Sequence, residues 1–357
     1  MFNIFQRKAF GLDISDQSIE VLELEKKSGK VFLKAYGRVE IGEGLVRGGV
    51  IVDRDALAIK IKQVLAEAQP RPIKIKKVVC SLPESQTFFH FFPSGEDIEQ
   101  QAAKTLPINL ADFYFNYREG LFSAVSKKIV EDYLSVLNAA GLDPEVLDLE
   151  SASIARAFGE GMGVKEESYL VADIGCRSTV LTVYDGRAIR LSVAVPAGGD
   201  VFSKVLADNL KITLAEAEQL KRDCGFDVEK KEGEIIFILQ SAFQEIINGI
   251  KNSVNFYRSK SQKKISKILL CGGSSLIPKV DFYLSSIIDI PVEIPDPWEG
   301  IDVEEILKKK ELRNMIETSL HPIFFANVIG LAKRGISKDP GLCGVNLIPL
   351  KKGGKRC

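Results

Sequence analysis

Three short stretches hold the residue types from which a phosphate and metal site can be built. In the first, Ser168 to Asp200, the apolar run Leu170-Val171-Ala172 reads as a buried strand ending in Asp173-Ile174-Gly175, so the strand delivers a carboxylate to its own end. The small-residue turn that follows, Cys176-Arg177-Ser178, can offer backbone N–H groups to phosphate oxygens, and Asp173 can hold a water of a bound Mg²⁺. Taken alone, the same residues also suit an ordinary hairpin turn. The second stretch, Phe10 to Leu24, repeats the order of apolar strand, Asp13, apolar residue, small Ser15, polar turn through Ser18, and second strand. In the third, Ile268 to Pro278, a buried strand passes through Gly272-Gly273 to Ser274 and into a helix, and the glycine pair lets the backbone approach a ligand closely. No Ser/His/Asp set, Cys/His pair or base at a fixed spacing accompanies these stretches.

The elements around them repeat as well. After Asp173, Ser178 to Tyr184 form a strand, Asp185-Gly186 a hairpin turn, and Ile189 to Val195 a third strand. After Asp13, the corresponding third strand is Val31 to Ile41. A β-meander that opens each half of the chain is an internal repeat, and it predicts two related domains facing each other across a cleft. In the first half Gly42 to Gly49 is a glycine-rich connection, Asp53 caps a helix carrying Leu57, Ile61, Val64, Leu65 and Ala68, and Lys76 to Ser81 return as a strand. Residues 82–141 break the pattern with prolines, aromatic strands and two helices, which reads as a small α+β insertion. Its rings, Phe88, Phe89, Phe91, Phe92, Phe113, Tyr114, Phe115 and Tyr117, are expected to be core for the most part, with some left over for a partner. Glu150 opens the next helix, and Gly159 to Gly163 form a hinge-like crossover. In the second half Gly198-Gly199-Asp200 open a helix, and Glu218 and Lys221 share one face of the helix after it.

In this order, the paired Asp-containing turns and the late Gly-Gly-Ser loop resemble the two phosphate motifs and the adenosine motif of the actin, chaperone and sugar-kinase superfamily. Val195 to Asp200, Ala217 to Lys221, Asn255-Phe256-Tyr257 and Gly330-Leu331-Ala332 are similar to the PilM family of type IV pilus assembly proteins, relatives of FtsA, and the likeness covers nearly the whole length. The resemblance implies an α/β fold: an actin-like, ribonuclease H-like duplicated two-lobed ATPase fold with an inserted α+β subdomain of the FtsA and PilM type. The first lobe is then 1–81, 142–163 and 318–336, the insertion 82–141, the second lobe 164–317 with a helical part at 199–260, and the tail 337–357.

It also implies ATP and Mg²⁺, held by Asp13, Ser15, Ser18, Glu150, Asp173, Gly175, Arg177, Ser178, Gly198, Gly199, Glu218, Lys221, Gly272, Gly273 and Ser274, with Asp13 and Asp173 toward the metal. The motifs depart from the family in places. Ser15, Cys271 and Lys279 stand where glycine is usual, and Asp16 puts a second carboxylate beside the phosphates, a repulsion of roughly a kcal/mol or more. Arg177 can offset it. Weak or no hydrolysis follows as an expectation. The implied function is a cytoplasmic ATP-binding scaffold that docks the cytoplasmic tail of an inner-membrane PilN-type protein; the alternative is a phosphotransferase or ATPase enzyme of the superfamily. The resemblance implies that PilN is recognised through a segment resembling Ile-Asn-Leu-Leu-Pro in a groove between the first lobe and the insertion, and this chain carries Val345-Asn346-Leu347-Ile348-Pro349, a candidate ligand for that groove in its own chain or a neighbour's, the latter giving self-association through the tail.

Composition narrows the partners. Lys+Arg and Asp+Glu both number 48, so no net charge argues for nucleic acid. Apolar runs such as Ile235 to Leu239 fall far short of the ~20 residues of a membrane span, and Met1 to Lys8 show no signal-peptide pattern. Membrane association is expected only through the PilN-type protein and other pilus assembly proteins. The 6 cysteines lie without a Cys-x-x-Cys pair and only 2 histidines occur, which argues against a disulfide framework or zinc and for reduced thiols.

Overall fold

The computed structural model describes residues 8–42, 44–92, 96–118, 120–158, 168–186, 188–230, 233–304, 321–338 and 344–349. The chain divides into two compact units, Met1–Met162 with Pro297–Cys357, and Gly163–Asp296.

In the first unit, β1 (Phe10–Ile14), β2 (Ser18–Lys27) and β3 (Lys30–Glu40) form the expected antiparallel meander, with Asp13 opposite Glu20. The glycine-rich connection holds a small hairpin, β4 (Val46–Arg47) and β5 (Val50–Ile51). Asp53 caps α1 (Arg54–Glu67), accepting from Ala56 N at 3.0 Å, and Leu57, Ile61, Val64 and Leu65 bury one helical face. Next, β6 (Lys77–Leu82) runs parallel to β1.

The insertion contributes β7 (Thr87–Phe91), α2 (Ile98–Thr105), β8 (Phe113–Arg118), β9 (Leu121–Ser126) and α3 (Lys127–Ala139), its sheet running β7-β9-β8. Phe92, Ala102, Phe122 and Ala124 are its own core, with Phe115 stacked on Phe122 at 5.3 Å. Phe88 and Phe91 stay exposed. The insertion is not free-standing, because Ile129, Val130, Tyr133, Val136 and Leu137 of α3 join the core of the main sheet. Finally β10 (Asp143–Leu149) lies parallel to β6 and leads into α4 (Glu150–Phe158).

The second unit repeats the plan. Here β11 (Ser168–Ile174), β12 (Thr179–Asp185) and β13 (Ala188–Val195) are the meander, followed by α5 (Gly199–Leu210), α6 (Leu214–Asp223) and the long α7 (Glu234–Ser261). The strand β14 (Ile265–Cys271) is parallel to β11; α8 (Val280–Ile288) and the edge strand β15 (Val292–Glu293) follow. Its sheet order is β13-β12-β11-β14-β15. The first sheet reads β3-β2-β1-β6-β10 over the corresponding strands, so both units place strands 3-2-1-4-5, which is the duplication inferred from the two Asp turns.

The last part of the chain belongs to the first unit. Ile301–Asp302 (β16) pairs parallel with β3, and Trp298 packs on Phe325 with ring centroids 5.9 Å apart. An aromatic anchor and a strand pair thus draw the stretch from Pro297 to the first unit, where the sequence reading carries the second lobe on to residue 317. The closing helix, α9 (Ala326–Gly335), lies across β1 so closely that a Cβ at Gly11 would stand 2.5 Å from the Val328 carbonyl oxygen. The crossover Gly159 to Gly163 and residues 350–357 lie outside the described residues. Among those described, no helix is long and apolar enough to cross a membrane.

Candidate functional site

In the second unit three loops converge at the ends of β11 and β14. The turn after Asp173 closes on itself, Gly175 N donating to the Ser178 carbonyl at 3.0 Å. The start of α5 is then tied to that turn: Gly199 N donates to the Gly175 carbonyl at 3.0 Å and Asp200 N to the Cys176 carbonyl at 2.8 Å. Two of the helix's orphan N–H groups are therefore satisfied by the turn. Such packing needs glycine, since a Cβ at Gly198 would sit 2.6 Å from the Gly175 carbonyl oxygen. In the third loop Gly272, at φ +76°, passes so close to β11 that a Cβ would overlap the Asp173 carboxylate and stand 2.6 Å from the Ile174 carbonyl oxygen. Ser274 is buried and reaches the Gly175 carbonyl at 3.4 Å, while Gly273 is exposed.

Glu218 and Lys221 join the same loops. The Lys221 ammonium, 5% exposed, donates to the Gly199 carbonyl at 3.1 Å, to Ser203 Oγ at 2.9 Å and to Glu218 at 2.5 Å, which uses its three protons. Burial alone pushes the Glu218 carboxyl up, but its hydrogen bonds from Lys221 and Ser203 and the Lys221 charge outweigh that and hold it at about 2. The pair thus anchors the start of α5. Burial, then the Asp173 charge and a hydrogen bond to that carboxylate, push the Cys271 thiol well above the usual range. Arg177 is exposed and lies 3.9 Å from Asp200.

In the first unit the corresponding turn is built from side chains. Ser15 Oγ accepts from Ser18 N at 3.0 Å and Gln17 N at 3.3 Å and lies 3.1 Å from Ser18 Oγ, so serine folds the turn where glycine would leave it open. The Asp16 carboxylate does not act as the free second charge expected from the sequence. It accepts from Gly48 N at 2.8 Å and Gly49 N at 3.0 Å, and the β4–β5 turn thereby neutralises part of it. Asp13 accepts from Ser81 Oγ at 2.8 Å; Asn327 Nδ2 donates to Ser81 Oγ at 3.1 Å, and Asn327 Oδ1 meets Ser153 Oγ, which donates to the Glu150 carbonyl at 2.8 Å. A chain of hydroxyl and amide groups thus links Asp13 to the start of α4. The Glu150 carboxylate itself accepts from Glu84 N at 2.9 Å, and Glu84 accepts from Ser151 N at 3.3 Å.

Burial raises the Asp13 carboxyl against the hydrogen bonds from Ser81, Asn327 and Ile14. Glu20, directly across from it, is pushed up to about 7 by burial and by the Asp13 charge, although Arg38 Nε lies 2.9 Å away. Glu20, Ser81, Ser153 and Asn327 were missed in the sequence. Only Glu20 left a signal, as a charge inside the strand run Ser18 to Leu24 that falls in register with Asp13.

A further arrangement lies at the outer edge of the first sheet, where β10 has β6 on one side only. Leu347 N donates to the Leu147 carbonyl at 3.0 Å, Leu147 N donates to Asn346 Oδ1 at 3.2 Å, and Asn346 Nδ2 donates to the Glu145 carbonyl at 3.3 Å. Val345 and Leu347 are buried in the main core. Arg334, wholly buried, holds the Val345 carbonyl at 2.6 Å and Asp148 at 2.7 Å, and Arg156 holds Asp148 at 3.1 Å. From the insertion, Arg118 Nη1 lies 3.5 Å from the Gly344 carbonyl.

A duplicated 3-2-1-4-5 sheet with an acidic turn after the first strand of each copy defines an actin-like protein. Solved structures agree on the fold: MreB5 of Spiroplasma citri bound to ADP matches with a TM-score of 0.53 at 18% identity, over 88% of this chain and 99% of that one. A PilM-PilN type IV pilus biogenesis complex matches with a TM-score of 0.75 at 23% identity, over 92% of this chain and 99% of that one. The chain matches the family model for type IV pilus assembly protein PilM over residues 11–335, and it belongs to that family. Cell division protein FtsA of Neisseria meningitidis serogroup B is 24% identical over 267 residues, which is 68% of this chain and 63% of FtsA, so the chain spans somewhat under two thirds of that relative.

Proposed function

We propose that this PilM-family protein is an ATP-binding scaffold of the pilus assembly machinery that docks the cytoplasmic tail of an inner-membrane PilN-type protein, and so sits beside that membrane through its partner. The observation that carries the reading is the edge of β10, which takes an extended Asn-bearing segment in hydrogen-bond register and buries alternate side chains beneath it. Strand addition of this kind draws affinity from the backbone and specificity from the pockets. The solved PilM-PilN complex supports a PilN-type partner.

For the nucleotide, the glycine-only packing of Gly198 and Gly272 on the turn at Asp173 gathers Gly175, Arg177, Ser178, Gly199, Gly273 and Ser274 at the ends of β11 and β14, with Glu218 and Lys221 fixing the start of α5. Within its own unit, each of Asp13 and Asp173 carries a carboxylate at its strand end that suits a water of a hydrated Mg²⁺, and Ser15, Ser18 and Glu150 complete the motif at Asp13. Bound nucleotide supplies the free energy that biases one conformation over another. Titration calorimetry of a PilN-type cytoplasmic peptide into the full chain tests the docking. A saturable micromolar isotherm is expected once Asn346→Asp and Leu347→Asp free the edge, weaker in the parent and lost when Arg334→Met is added; absence of heat at 100 µM peptide in the freed chain contradicts the reading.

A further inference from the structure

The receptor for the segment Gly344–Pro349 is built from residues of the first unit's sheet and helices, β10, α4 and α9. Asp148 on β10 is clamped by Arg156 of α4 and Arg334 of α9, and Arg334 spends a further donor on the Val345 carbonyl. Beside this cluster the backbone of Glu145 and Leu147 faces outward from the sheet edge, and an edge strand needs partners for such groups. Asn346 meets them in one move. Its carboxamide accepts from Leu147 N and Ile348 N and donates to the Glu145 carbonyl. Asp has no donor for the Glu145 carbonyl, Leu has neither group, and Gln carries the amide one methylene farther out.

The attachment is light for a piece of permanent core. Among the described residues a single backbone to backbone hydrogen bond, from Leu347 N to the Leu147 carbonyl, joins the segment to β10, and only Val345 and Leu347 are buried. Five residues, 339–343, separate the segment from the part that follows α9. A tether this short gives an effective concentration of the order of millimolar, so even a weak segment keeps the edge occupied.

We infer that Val345–Pro349 is a self-ligand which closes the β10 edge in cis, and that the edge takes a second extended peptide of the same apolar-Asn-apolar pattern only when the tail leaves. The tail is thus an autoinhibitory strap on a peptide-docking edge. The inference concerns the edge used in the docking reading and rests on that reading only for which partner displaces the tail. Its probe is the chain's own segment, so a failed PilN-type titration and a failed self-titration are distinguishable.

The test is fluorescence anisotropy with a labelled peptide spanning residues 344–349, titrated with the full chain and with a full chain carrying Asn346→Asp and Leu347→Asp to eject the tail. Ejection is expected to tighten peptide binding at least tenfold, and an Asn346→Asp peptide to bind the ejected chain at least tenfold more weakly. A second variant, the parent with a protease site placed in 339–343 and cut after folding, needs no change in the segment; after cutting and dilution it should bind the probe like the ejected chain. Equal peptide affinity in parent, ejected and cut chains overturns the inference. So does a tail that never exchanges after cutting, a parent that is dimeric by light scattering through swapped tails, or an ejected chain that fails to fold, since each makes the segment something other than a cis strap.

Discussion

Replacing Gly272 with Ala perturbs the densest point of the second-unit loops. The residue has φ +76° and ψ 164°, a region open essentially only to glycine, which costs about 1–3 kcal/mol for any other side chain. The new Cβ would overlap the Asp173 carboxylate and stand 2.6 Å from the Ile174 carbonyl oxygen, so the loop must retreat by about 0.8 Å to regain ordinary van der Waals distance, at about 1–3 kcal/mol more. A loss of about 2–6 kcal/mol in urea denaturation is expected. The retreat moves Ser274 away from Gly175, so affinity for a labelled ATP analogue with Mg²⁺ should also fall tenfold or more. Gly233→Ala is the control: its φ is +78° but a Cβ there meets nothing within 4 Å, so it should cost only the backbone strain and leave nucleotide affinity alone. A Gly272→Ala chain that keeps its parent's urea midpoint and binds the analogue equally well would refute the reasoning.

Other consequences follow from the buried charges. Arg334→Met removes one of the two partners of Asp148 and the donor to Val345; breaking a buried pair costs about 3–5 kcal/mol, and since Arg156 remains, about 3 kcal/mol is expected in urea denaturation, with an unchanged midpoint counting against the cluster. Glu20, pushed up to about 7, binds its proton more tightly folded than unfolded, so its contribution to stability is present below about pH 4.5 and is lost as pH rises through about 7. A Glu20→Gln chain should therefore lose less stability than its parent between pH 5 and 8, and parallel curves contradict this. Turnover of ATP should lie far below an ordinary enzyme's ~10 s⁻¹, in keeping with a first turn closed by the Ser15 and Ser18 side chains; a phosphate-release assay near that rate would revive the phosphotransferase reading.

The repeat was legible because it rests on periodicity. Two meanders with an Asp at the end of each first strand announce themselves in apolar alternation, and the same strand order followed in both units. The carboxamide of Asn346 was visible only through the likeness of Val345–Pro349 to a partner segment, and its bonds to β10 depend on an edge that no local pattern reveals. Less could be read of the first motif. Asp16 reads from sequence as a repulsive charge because the donors to its carboxylate, Gly48 N and Gly49 N, come from a hairpin some thirty residues on that reads as a plain connection. Ser81, Ser153 and Asn327 are single polar residues in three separate elements, joined to Asp13 only by packing of α9 on α4 and β6. The grouping of the stretch from Pro297 with the first unit leaves little local signal, since two residues of β16 and one tryptophan carry it.

Nucleotide binding is the claim on which the scaffold reading turns, and the Asp173 carboxylate is its most direct handle. Equilibrium titration of a labelled ATP analogue with Mg²⁺ into the full chain and into an Asp173→Ala chain should give saturable binding in the first and at least a tenfold loss in the second. Equal affinity in the two chains, or no saturable binding in the parent, would contradict the account.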